Sequence, residues 1–177
     1  MPKRRAAERG VKSLISPLEK NMKIRVMMIC SLLTLPSFQI DTNSRGWRGI
    51  VPLHSTRADV ERLLGTGINE CKCDYYLKDV NVFFLYSRGD CKSGHGAWDV
   101  PPDTVTRITV YAHPSPKLTD LNLDGSKFKK RHDGHIAAIV SYVNEDGLLI
   151  EVNEDTSDVM GFYYYPARED KDLRCTK

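Results

Sequence analysis

From Gly46 to Gly67 the chain reads GWRGIVPLHSTRADVERLLGTG, and no other stretch so constrains the fold. Thr56 can cap a helix, its hydroxyl accepting from an amide two or three residues on. Asp59 stands three residues later, where a carboxylate completes a capping box. Asp59 and Glu61 put negative charge in the first turns, matching the positive end of the helix dipole. Val60, Leu63 and Leu64 follow at helical spacing as one apolar stripe, and Gly65 ends the segment because it tolerates positive φ. A helix of about three turns does not persist alone in water. It needs a surface to lie on, and the remaining apolar residues are patterned as strands.

Residues 74 to 87, DYYLKDVNVFFLYS, read as two β segments joined at Lys78-Asp79. Val82, Phe84 and Tyr86 alternate with Asn81, Phe83 and Leu85, so this second strand reads as covered on both faces. TVTRITVYA, from Thr104, is a strand by its branched residues, with Arg107 and Thr109 outward, and Pro114 and Pro116 end it. LTDLNL, from Leu118, is a turn or a single helical turn. HIAAIVSYV and LLIEVN, joined through Asp146-Gly147, form the clearest hairpin. MGFYYYP supplies a last strand. The expectation is an α+β domain over residues 41–177: a curved, mostly antiparallel sheet of about six strands with one short amphipathic helix packed on a face. A chain of 177 residues is long enough for one such core.

The net charge of +3 misleads about partners. Residues 1–25 hold eight Lys or Arg against two acids, leaving eighteen basic and twenty-one acidic residues, net −3, for the rest. Residues 1–40 read as a leader: cations from Met22, then an apolar run from Val26 to Leu35. That is the layout of a secretory signal, too short for a membrane-spanning helix. Met22 is an alternative start. Without the leader, Cys71, Cys73, Cys91 and Cys175 remain, an even number that suits two bridges in an oxidising compartment. Cys71 and Cys73 are close enough that each is expected to pair elsewhere, with Cys91 and Cys175. A Cys73–Cys91 bridge would close a loop of under about twenty residues, worth on the order of 3 kcal/mol. Free thiols and a zinc site are the competing readings, the latter with Cys-x-Cys rather than the usual Cys-x2-Cys.

The residues Thr56, Asp59, Val60, Leu63, Leu64 and Gly65 follow the pattern T-x-x-[QED]-V-x-x-L-L-G. This resembles the helical signature of the BamE (SmpA/OmlA) family of small outer-membrane assembly proteins. The fuller WRGIVPLHSTRADVERLLG, with a later WDVPPDTVTRITV, is similar to a group of uncharacterised exported bacterial proteins. The resemblance implies an envelope protein that works by binding other proteins rather than by catalysis.

The residues themselves offer little chemistry. Nucleophile-elbow, P-loop and dinucleotide motifs are absent from the sequence. His132-x2-His135 lacks a helix or a third ligand and reads as a solvated loop. His95, between Gly94 and Gly96 near Cys91, is the one hint of a thiol–imidazole pair, and a nucleophile needs a base and an orienting group besides. The binding candidates are the basic run Lys127, Lys129, Lys130 and Arg131, and the aromatic strand residues Tyr163 and Tyr165. The reading is an exported, disulfide-stabilised binding or structural module, periplasmic or extracellular, needing no cofactor or metal. Its expected partner is another envelope protein, with loose membrane-periphery association open and nucleic acid not expected. A hydrolase-like enzyme with its site in the Gly94–Asp99 loop is the alternative. A basic loop meeting anionic wall polymer is a third.

Overall fold

The computed structural model describes residues 40–89, 91, 97–132 and 138–175, all within the unit Pro36–Lys177. The leader expected over residues 1–40 lies, but for Ile40, outside the described residues. One helix, α1 (Arg57–Leu64), precedes seven strands: β1 (Asp74–Leu77), β2 (Val80–Tyr86), β3 (Val105–Ala112), β4 (Lys129–His132), β5 (Ile139–Val143), β6 (Leu148–Asn153) and β7 (Val159–Tyr164). Short 3₁₀ turns lie at Leu118–Leu121 and Arg168–Leu173.

The strands form one open sheet, β1-β2-β3-β7-β6-β5-β4, every neighbouring pair antiparallel. Two meanders therefore meet at its centre, where β3 pairs with β7. The described residues are mostly β, with seven strands where the sequence suggested about six and with less helix than an α+β label implies. The additional strand is β4, KKRH, exposed at all four positions. It carries no apolar alternation, and its extended state comes from pairing with β5. A lysine-rich outer strand also discourages edge-to-edge pairing with other chains.

Alternation sorts the side chains. Val82, Phe84, Ile108, Val110, Phe162, Tyr164, Leu148, Ile150 and Val152 are buried together on one face. Trp47, Ile50 and Val60 belong to the same core, so the aromatic entry segment and α1 cover that face. The β5–β6 hairpin turns where the sequence placed it: Gly147 sits at φ 90°, and the Asn144 side chain accepts from the Leu148 amide at 2.9 Å. A Cβ at Gly147 would also press on the Tyr165 backbone.

The helix is built as its caps indicate. Thr56 Oγ1 accepts from the Asp59 amide, and the Asp59 carboxylate accepts in return from the Thr56 amide at 2.9 Å. Its first turn is pinned to the start of β3, the Arg57 amide donating to Asp103 O (2.8 Å) and the Val105 amide to Ser55 O (2.8 Å). This placement buries Val60 fully but leaves Leu63 half exposed, so the apolar stripe is narrower than Val60, Leu63 and Leu64 suggested. Thr56→Ala should cost about 1 kcal/mol, read by chemical denaturation. Asp59 is held down at about 2, first by the hydrogen bond from the Thr56 amide and then by Arg62. A depressed carboxyl stabilises the fold above its unfolded value near 3.8 and loses that contribution as pH falls toward 2. Asp59→Asn, which removes the titrating group, should therefore blunt the acid sensitivity of the melting temperature between pH 4 and about pH 2.

The expected cysteine pairing is overturned. Cys71 bonds to Cys73 and Cys91 to Cys175, with Cα–Cα distances of 5.2 and 5.5 Å. Lys72, at φ 50°, folds the three-residue segment back, which proximity in sequence alone did not anticipate.

On the opposite face of the sheet β2 is not buried throughout, contrary to the two-sided burial read for it. Leu85 and Tyr76 are exposed there. Tyr76, Phe83, Tyr111 and Tyr163 cross β1, β2, β3 and β7 as a ladder of edge-to-face rings, with centroids 6.0, 5.8 and 6.3 Å apart. Such pairs contribute about 0.5–1.5 kcal/mol each beyond area burial.

Candidate functional site

One end of this face runs into a cleft of about 690 Å³. Four remote segments make it. The end of β2 brings Leu85 and Tyr86 and continues into Ser87 and Arg88. The start of β3 brings Thr106 and Arg107, with Arg107 opposite Leu85 in register. The third wall is the C-terminal run from Tyr165 through Arg168, Lys171 and Arg174, facing Ala97 and Trp98, the fourth segment.

That wall is fastened at several points. The Asp99 amide donates to Leu173 O at 2.7 Å and the Cys175 amide to Ala97 O at 3.0 Å, beside the Cys91–Cys175 disulfide. Asp170, buried, accepts from the Ala167 amide (3.0 Å), and it binds His54 Nε2 (2.9 Å) and the Arg45 guanidinium (3.2 Å). The Arg174 guanidinium lies 5.5 Å over the Trp98 ring, a cation–π contact.

Five cations, Arg88, Arg107, Arg168, Lys171 and Arg174, thus surround the cleft, and no carboxylate lines it among the described residues. Arg168 is occupied by Glu145 at 2.7 Å. Arg88, Arg107 and Lys171 have no ion-pair partner among the described residues. Residues 26–177 are net acidic, so this local excess is a focused positive field rather than the average of the surface. Leu85, Ala97, Trp98 and Tyr165 supply an apolar component. Such a combination is the usual make-up of a ligand site: mostly apolar walls with a few polar groups that orient the ligand. A second cleft, of about 960 Å³, lies near Asp41, Asp79 and Asp120, where the Asp120 carboxylate is already engaged by the Lys117 amide at 3.1 Å.

The residues singled out in the sequence fare unevenly. Tyr165 lines the cleft. Tyr163 belongs to the aromatic ladder, where its hydroxyl donates to Glu151 at 2.7 Å. Burial, then the hydrogen bonds to Tyr111 and Glu151, hold that phenol well above its ordinary range, so it stays neutral and donating. Lys127, Lys129, Lys130 and Arg131 form no joint site. Lys127 reaches Asn43 at 3.2 Å, Lys129 lies 3.9 Å from Glu145, and Lys130 pairs with Glu154 at 2.6 Å. Lys129 to Arg131 stand on edge strand β4, where alternation turns successive side chains to opposite faces. His132 lies 4.0 Å from Glu154, while His135 falls outside the described residues. So do Gly94, His95 and Gly96 of the loop proposed for a hydrolase; of that loop, Ala97 and Trp98 line the cleft. Arg88, Arg107, Lys171 and Arg174 were missed. The only prior signal was Arg107 pointing outward from a strand.

No family model matches the chain, and no solved structure matches it significantly. Aminotransferase ALT4 of Alternaria alternata is similar over part of it. The two are 28% identical over 86 residues, 48% of this chain and 10% of that protein. This chain therefore spans about a tenth of the length of the relative. Among the described residues, no helix is long and apolar enough to cross a membrane.

Proposed function

We propose that the chain is an exported binding module whose cleft takes an acidic segment of another envelope protein. The observation that carries this reading is the cleft itself, which among the described residues has five lining cations, no lining carboxylate and an aromatic wall. A volume of about 690 Å³ suits a few side chains of an extended or looped segment rather than a folded body. Carboxylates of the segment meet Arg88, Arg107 and Lys171, and one apolar or aromatic side chain packs against Trp98. Arginine favours such a role because its planar fork matches a carboxylate with two hydrogen bonds.

Two disulfides agree with an oxidising compartment, and with the leader read in the sequence they support export. The BamE-like helix pattern points the same way, toward work through protein contacts. The likeness to an aminotransferase spans too little of that protein to bring transaminase chemistry into this reading.

The test is crosslinked capture from the native envelope, followed by titration of a labelled peptide from the captured partner. Arg107→Glu with Lys171→Glu should weaken binding by at least about tenfold, with the remaining affinity less sensitive to salt. Lys129→Glu with Lys130→Glu, on the β4 edge, should leave it unchanged. Capture that survives reversal of the cleft charges would refute the proposal, as would equal loss from the β4 variant.

A further inference from the structure

At the start of β1 the chain gathers a second group of chemically capable side chains, far in character from the cleft. The ligating atoms of Cys71, Cys73 and Asp74 all lie within 4.8 Å of one another. Asn69 completes the cluster: its side-chain oxygen lies 2.9 Å from Cys71 Sγ, and its amide nitrogen donates to Asp74 Oδ2 at 2.5 Å. The backbone holding them is anchored. The Phe84 amide donates to Cys73 O and the Ile68 amide to Asp74 O, each at 2.9 Å, and Asp74 pairs with Phe83 in the sheet. Arg57 donates to Cys71 O. Cys71 is exposed, with Cys73 and Asp74 half-buried, so the cluster is open to a small ion.

We infer that Cys71, Cys73 and Asp74 form a redox-gated site for a thiophilic divalent cation of the zinc type, closed while the two cysteines are bonded and open when they are reduced. In the oxidised protein both sulfurs are committed to each other. A dithiol reductant supplies two electrons and two protons: its own sulfurs become a disulfide, the Cys71–Cys73 bond breaks, and two thiols result. The cation then displaces both thiol protons to solvent and binds two thiolates and the Asp74 carboxylate. Three protein ligands leave one position for water, and two soft donors with one hard donor suit zinc. Asn69 then acts behind the ligands by orienting the carboxylate. The loop between the cysteines is a single residue, so opening it frees little chain entropy and leaves the fold intact.

Cobalt(II) is the probe, titrated into full-length protein in oxidised and phosphine-reduced forms, reading the thiolate-to-metal absorption and the protons released. The reduced protein should take one equivalent with that absorption and release two protons, and the oxidised protein none. Cys71→Ser with Cys73→Ser should abolish the signal although Cys91 and Cys175 are also reduced. Asp74→Asn should weaken binding by about tenfold or more while keeping the absorption. Failure of the reduced protein to bind, binding by the oxidised form, or an undiminished signal in the double serine variant each overturns the inference. None of these outcomes touches the cleft, whose charges lie on other segments.

Discussion

Cys91→Ser or Cys175→Ser is expected to destabilise the protein by about 4 kcal/mol, against far less for Cys71→Ser. The reason is loop length. The Cys91–Cys175 bond spans 84 residues of sequence, the Cys71–Cys73 bond only two. In the chain-entropy model the long loop removes much more freedom from the unfolded chain. A loss of this size lowers the melting temperature by roughly 10–15 °C for a unit of this length. Scanning calorimetry of each variant, with and without reductant, checks it: the Cys91 variant should match the reduced wild type and show no further response. The local consequence is as informative. Trp98 and Arg174 line the cleft beside this bond, so the variant should also lose peptide affinity at temperatures where it is still folded.

Phe162→Ala is expected to cost about 3–5 kcal/mol, the range for deleting a fully buried aromatic ring without relaxation. Phe162 is completely buried on β7, opposite Val110 on one side and Ile150 on the other, so its ring belongs to the core of both meanders. A domain of this size has only about 5–15 kcal/mol in total, and the variant stands near the limit of folding. Urea denaturation should show a lower midpoint with little change in slope. Met160→Ala, two residues away and 44% exposed, is the matched control and should stay within about 0.5 kcal/mol of wild type.

What was readable in the sequence is what local chemistry decides. Thr56, Asp59 and Gly65 write the ends of α1 because capping is settled within one turn. Asp146-Gly147 marks the β5–β6 hairpin because only a few residues accept positive φ, and the alternation of Leu148, Ile150 and Val152 then sets its buried face. The failures are mostly long-range. Strand β4 is invisible in KKRH because its state is imposed by a neighbour. Leu63 faces out because the docking of residues 53–57 onto β3 fixes the roll of the helix, which periodicity alone does not. The cysteine partners were missed because a bond between residues so close depends on the backbone angle at Lys72. The cleft is the hardest case. Arg88, Arg107, Lys171 and Arg174 are unremarkable singly, and only the strand order and the fastening of the C-terminal run make them neighbours.

The strand order also has a kinetic meaning. Each meander can zip from near neighbours, whereas the seam joining them rests on three matched positions, Ile108 to Tyr164, Thr109 to Tyr163 and Val110 to Phe162. Among the strand pairings, closing that seam requires the longest excursion of the chain, so it is expected to be the entropic bottleneck in assembling the sheet. Changes along it will show in the rate of acquiring structure, while changes at the outer strands will show chiefly in the rate of losing it.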